Sequence, residues 1–100
     1  MPTVRAFRFH PLAWKEVEAE DDWYQSRSSD ASLGFLSDFD SAIEDILQAP
    51  QRWPKYLYGT RRVVMQRFPF SIVYLDDLDL ITIFAVAHAK RKPGYWKERL

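Results

Sequence analysis

The chain has 100 residues, 47% apolar and 16% aromatic, which is enough for one packed core and too little for two. It contains no cysteine, which excludes disulfides, thiol catalysis and cysteine-based zinc sites, and its 2 histidines lie too far apart in sequence to suggest a dedicated metal site. The net charge of zero hides a division: residues 1–50 carry 4 Lys/Arg against 10 Asp/Glu (−6), and residues 51–100 carry 10 against 4 (+6).

In chain order, VRAFRF (4–9) alternates apolar and basic side chains, as a short half-buried strand does. His10 and Pro11 suit the cap and first turn of a helix, which is predicted from Leu12 to about Ser26. Ala13, Val17 and Tyr24 form its inner stripe, and Glu16, Glu18, Glu20, Asp21 and Asp22 are expected to point mostly outward. After the polar break at 26–30, Ser29 or Asp30 can cap a second helix. Its apolar stripe is Leu33, Leu36, Phe39, Ile43, Ile46 and Leu47, and Pro50 closes it. Gly34 within it is expected to allow close approach of the first helix.

QRWPKYLYGT (51–60) reads as a turn-rich connection, after which the period becomes strand-like. RRVVMQRF (61–68), FSIVYL (70–75) and LITIFAVAH (80–88) are predicted strands, with a polar turn at Asp76, Asp77 and Asp79. Strict alternation divides the last strand into Leu80, Phe84 and Val86 on one face and Ile81, Ile83, Ala85 and Ala87 on the other. Apolar on both faces, it is expected in the sheet interior beside the first strand. Trp14 and Trp23 are expected to anchor the helices to the sheet, and Trp96 to pack on the domain. The expected fold is α+β in two layers, β-α-α-β-β-β. An antiparallel four-stranded sheet carries an α-hairpin on one face, and a short C-terminal helix follows.

No segment approaches the ~20 apolar residues of a membrane span. The opening MPTVRAFRFHPL lacks the apolar run and cleavage site of a secretory signal, so a cytoplasmic location without membrane contact is expected. The basic half ends in AVAHAKRKPGYWKERL, which gathers cations and aromatics just after the last strand. A field of this kind attracts phosphate or an acidic protein.

The element order, LGFLSDFDSAIEDILQAPQRWP, RRVVMQRFPFSIVY and the terminal AVAHAKRKPGYWKERL together resemble the RelE/ParE superfamily of bacterial type II toxin–antitoxin toxins, over about Pro11 to Leu100. The resemblance implies one cytosolic toxin domain spanning residues 1–100, needing no cofactor and neutralised by a cognate antitoxin. It also implies two alternative activities. RelE-like members cleave mRNA on the ribosome without a metal; ParE-like members bind DNA gyrase and cut nothing.

Metal-free RNA cleavage needs a proton acceptor for the ribose hydroxyl, cations around the phosphate and a proton donor for the leaving oxygen. The candidate catalytic residues are Arg62, which resembles the phosphate-stabilising arginine of the nuclease branch, His88 and Tyr95. Arg61, Lys90, Arg91 and Arg99 are the candidate RNA- or target-binding residues. Convergence of Arg62, His88 and Tyr95 at one sheet edge is the expectation that favours mRNA cleavage. The neutral net charge and the absence of a carboxylate or lysine cluster in residues 51–60 favour the gyrase alternative. A binder needs only a complementary surface, and aromatics with arginines are what strong protein interfaces use.

Overall fold

A computed structural model describes residues 6–77 and 79–100, so Val4 and Arg5 of the expected first strand lie outside the described residues. The elements run β1 (Ala6–Phe9), α1 (Pro11–Arg27), α2 (Ser29–Gln48), β2 (Arg61–Val64), β3 (Phe70–Asp77) and β4 (Leu80–His88), with single 3-10 turns at Leu57–Gly59 and Lys97–Arg99. The expected C-terminal helix is thus one tight turn.

Local chemistry accounts for the helix ends. His10 Nδ1 accepts the Leu12 amide at 3.1 Å, and Pro11 occupies the first turn, where its missing N–H costs nothing. The second helix is capped one residue earlier than expected. Ser28 Oγ accepts the Ala31 amide at 3.0 Å, while its own amide donates to the Tyr24 carbonyl at 2.9 Å. One residue therefore ends α1 and starts α2, and a Ser32–Asp21 hydrogen bond helps close the hairpin.

The α2 core stripe is Phe35, Phe39, Ala42, Ile43 and Ile46. Leu33, assigned to the stripe from sequence, is 65% exposed, because it sits about 200° around the helix from Phe35. Gly34 faces the β2–β3 turn and not α1: a Cβ there would meet Arg67 Nη2 and Phe68 Cζ, both at 3.3 Å. Trp14 and Trp23 are exposed at 46% and 50%, contrary to their expected anchoring role. Trp14 instead lies against Phe9 at the sheet edge, and Trp23 carries the Arg27 guanidinium over its ring.

The sheet order is β1-β4-β3-β2. β2–β3 and β3–β4 are antiparallel, but β1 runs parallel to β4, with Phe7 opposite Ile81 and Phe9 opposite Ile83. The expected fully antiparallel sheet is therefore a mixed one. The α-hairpin and the connection after it bring the chain back so that β2 and β4 run in the direction of β1, and a parallel pair requires such a crossover. β2 stops at Val64, short of the expected Phe68. Asp38 Oδ2 accepts the amides of Arg67 (2.9 Å) and Phe68 (3.1 Å) and folds 65–69 into a turn.

One irregularity resets the faces of β4. Val73 pairs with Ala85, but Tyr74 pairs with Ile83, leaving Phe84 as an extra residue. Before this bulge Ile81 and Ile83 face the helices; after it Val86 does, packed with Phe70, Ile72 and Tyr74. Ala85 turns to the opposite face, where Trp96, Val73, Tyr56 and Tyr95 form a second, smaller core. β4 is buried on both faces, as its composition predicts. The division of its residues by strict alternation fails at the bulge.

Candidate functional site

The last strand ends in a turn at residues 89–92, and the chain then folds back over the face of the sheet opposite the helices. Trp96 is buried there at 1% exposure and fixes the segment in place. Gly94, at φ 83, makes the bend that a side chain would strain. A groove forms between this segment and β2–β3, lined by Tyr56, Arg62, Ser71, Arg91, Lys92 and Tyr95 among others. Two cations border it on aromatic rings: Arg62 lies 4.2 Å from the Tyr56 ring centre, and Arg91 lies 3.8 Å from that of Tyr95. No described residue lining the groove carries a carboxylate.

Of the three catalytic candidates, Arg62 faces the groove from β2, opposite Val73. His88 lines the end of the same groove, but the bulge turns its imidazole toward the helix layer. It pairs across the strands with core residue Phe70, ring centres 5.1 Å apart and nearly perpendicular at 87°. Its Nδ1 accepts the Lys90 amide at 3.0 Å. On that side stands Glu20, whose carboxyl is pushed up by burial, with the His88 charge opposing the shift and Glu16 adding to it. Arg62 and His88 thus come to one groove end from opposite faces of the sheet.

Tyr95 reaches the groove with its ring, and its hydroxyl donates to Glu16 Oε2 at 2.5 Å. Burial, reinforced by the hydrogen bond and charge of Glu16, pushes this phenol far above its ordinary range; the charges of Arg99 and Arg91 only partly offset that. Glu16, one of the α1 acids expected to point mostly outward, joins three parts of the chain. Besides Tyr95, it accepts Arg99 Nη1 at 2.9 Å, Arg99 Nη2 at 3.1 Å and the Val86 amide at 3.0 Å. Arg99 Nη1 also donates to the Phe84 carbonyl at 2.9 Å. The paired residues of β1 end at Phe9 opposite Ile83, so the next backbone groups of β4 lack a strand partner, and these side chains take its place. Burial works against the Arg99 charge, but the Glu16 bonds outweigh it and raise the guanidinium pKa.

The remaining binding candidates separate. Arg91 belongs to the groove. Arg61 faces the helix side, opposite Tyr74, and donates to the Trp53 carbonyl at 2.6 Å. Lys90 is exposed in the turn after β4, and Arg99 is committed to Glu16. Sequence reasoning missed Tyr56, Lys92 and Glu16. The spacing did carry a signal for Glu16, since Ala13, Glu16, Val17, Glu20 and Tyr24 follow the 3-4 steps of one helix face. Among the described residues no group of three His, Cys, Asp or Glu is placed to hold a metal ion, and no helix is long and apolar enough to cross a membrane.

A helical hairpin on one face of a four-stranded sheet, with a basic and aromatic C-terminal segment folded on the other, is the architecture of a RelE/ParE superfamily toxin. The family described as the ParE toxin of the type II toxin–antitoxin system parDE matches residues 7–93, and the chain belongs to that family. It is similar in fold to a chain of the chromosomal ParDE toxin–antitoxin system from P. aeruginosa, at a TM-score of 0.75 and 16% identity, over 87% of this chain and 98% of that one. No curated protein matches the sequence. The chain is thus a toxin of a type II toxin–antitoxin system, and its partner class is a cognate antitoxin.

Proposed function

We propose that this toxin inhibits growth by binding DNA gyrase and not by cutting RNA. The observation that carries this reading is that the candidate catalytic groups approach one groove end from opposite faces of the sheet, each engaged by another group. The Arg62 side chain lies on one face of the sheet and His88 packs against Phe70 on the other. Proton transfer at a phosphate held by Arg62 needs an acid or base within hydrogen-bond reach of it. Tyr95, the third candidate, holds its proton toward Glu16 and is pushed away from neutral-pH titration. What is left is a surface: fixed rings, two ring-stacked guanidiniums and no carboxylate in the groove, suited to an acidic protein. The ParE family name agrees with this choice. An antitoxin rich in acidic residues would neutralise the toxin by covering the same basic half.

The test is induction of the toxin in cells with translation and DNA supercoiling followed in parallel. The expected result is loss of supercoiling with translation continuing at first, and with His88→Ala as inhibitory as the wild type. Rapid translation arrest that His88→Ala or Arg62→Ala abolishes would overturn the proposal in favour of mRNA cleavage.

A further inference from the structure

Beside the groove, residues 54–62 double back on themselves. The Tyr56 amide donates to the Thr60 carbonyl at 2.8 Å, and the Arg62 amide to the Pro54 carbonyl at 3.2 Å. The Thr60 amide and hydroxyl both donate to the Leu57 carbonyl, at 3.2 and 2.6 Å. At the tip two successive residues, Tyr58 and Gly59, have positive φ, 58 and 78. Tight reversals of this kind ordinarily place Asn, Asp or Gly at such positions. Tyr58 is the one non-glycine among the described residues with positive φ, a conformation that strains an L-residue.

The strained residue supplies little to the core. Tyr58 is 53% exposed, and its hydroxyl makes no hydrogen bond within the described residues. Yet the ring is held on three sides. Trp96 meets it edge-on at 5.9 Å and 83°, and the Lys97 ammonium stands 5.1 Å from its centre. Gly94 leaves the room it needs, since a Cβ there would come within 3.2 Å of Tyr58 Cε2. Leu57 beside it is 37% exposed. An aromatic ring fixed in advance, with a free polar tip and a cation at its side, is the arrangement of an interface anchor that loses little entropy on docking.

We infer that Tyr58, with Leu57 and Lys97, is a contact site for the toxin's protein target, continuous with the cationic groove. The matching surface has an apolar pocket for the ring, an acceptor for its hydroxyl and carboxylates facing Lys97, Arg62 and Arg91. This assignment rests on the protein-target reading above.

Two substitutions test it. Tyr58→Asn removes the ring while suiting the left-handed backbone, and Lys97→Glu reverses the neighbouring charge. Each variant is checked for folding by circular dichroism and for retention of co-expressed antitoxin. Expected is at least a tenfold rise in the concentration needed to inhibit gyrase supercoiling and to arrest growth, with the antitoxin retained. Tyr58→Phe, which keeps the ring and loses only the hydroxyl, should fall between wild type and Tyr58→Asn. If both Tyr58→Asn and Lys97→Glu inhibit at the wild-type concentration, or if they lose the antitoxin while keeping inhibition, the inference is overturned. A wild-type toxin that arrests translation and spares supercoiling sinks the gyrase reading itself. A wild type that inhibits neither process overturns both.

Discussion

Replacing Glu16 by alanine removes a carboxylate that ties three parts of the chain together. The carboxylate accepts four hydrogen bonds, from Tyr95, from two nitrogens of Arg99 and from the Val86 amide. Its side chain is 17% exposed and that of Arg99 12%, so neither is well solvated. Removing one partner of a buried ion pair costs about 3–5 kcal/mol, chiefly by stranding the other charge. Residual exposure lets water reach Arg99 and favours the lower end, about 3 kcal/mol. The orphaned Tyr95 hydroxyl and Val86 amide add roughly 1 kcal/mol together once partly rehydrated. The expected loss of about 4 kcal/mol is a large part of the ~5–15 kcal/mol typical of a 100-residue domain. At about 4–8 °C per kcal/mol, the melting temperature falls by at least ~15 °C. Urea unfolding followed by tryptophan fluorescence measures it, and the double variant with Arg99→Ala closes a cycle whose coupling should exceed ~1.5 kcal/mol. A single-variant loss below ~1 kcal/mol, or a coupling near zero, would refute the reasoning that this carboxylate fastens the C-terminal segment to α1 and β4.

Alkaline titration probes the same contacts. Burial pushes Tyr74, whose hydroxyl donates to the Pro50 carbonyl at 2.5 Å, up to about 12, and pushes Tyr95 up as well. Because the folded values lie above the unfolded value of ~10, the stability they contribute is complete below pH ~10. It is lost as pH rises through the folded values, by up to ~1.4 kcal/mol per pH unit for each tyrosine. In tyrosinate absorbance these two should ionise late, and Glu16→Gln should bring Tyr95 earlier; ionisation of both near pH ~10 would contradict the assignment. At the β2–β3 turn, both amide donors use the same oxygen of Asp38, so Asp38→Asn should cost under ~1 kcal/mol and Asp38→Ala about 2–3 kcal/mol in chemical denaturation. Equal costs for the two variants would show that the oxygen is not the turn's anchor.

Much of this protein follows from local signals. His10, Pro11 and the serines at 28–29 mark the helix ends to within a residue, because capping is a matter of a few adjacent atoms. The β-branched runs after residue 60 mark three strands, and the continuous apolar character of β4 marks it as interior. The terminal HAKRKPGYW segment shows where cations and rings gather, and Arg62, Arg91 and Tyr95 do meet in the groove beside it. Other features depend on contacts between distant parts of the chain. Strand direction is invisible to periodicity, so the parallel pairing of β1 with β4 emerges only when the crossover is built. A single extra residue, Phe84, inverts the faces beyond it and sends His88 to the helix side, away from the Arg62 side chain. Glu16 looks like one more acid on an acidic helix until the end of β1 leaves β4 groups for it and Arg99 to satisfy. Composition and short-range spacing thus determined the elements and the charge division. Tertiary structure decided which side chains share a face, because one inserted residue reverses a strand's alternation while leaving its sequence pattern almost unchanged.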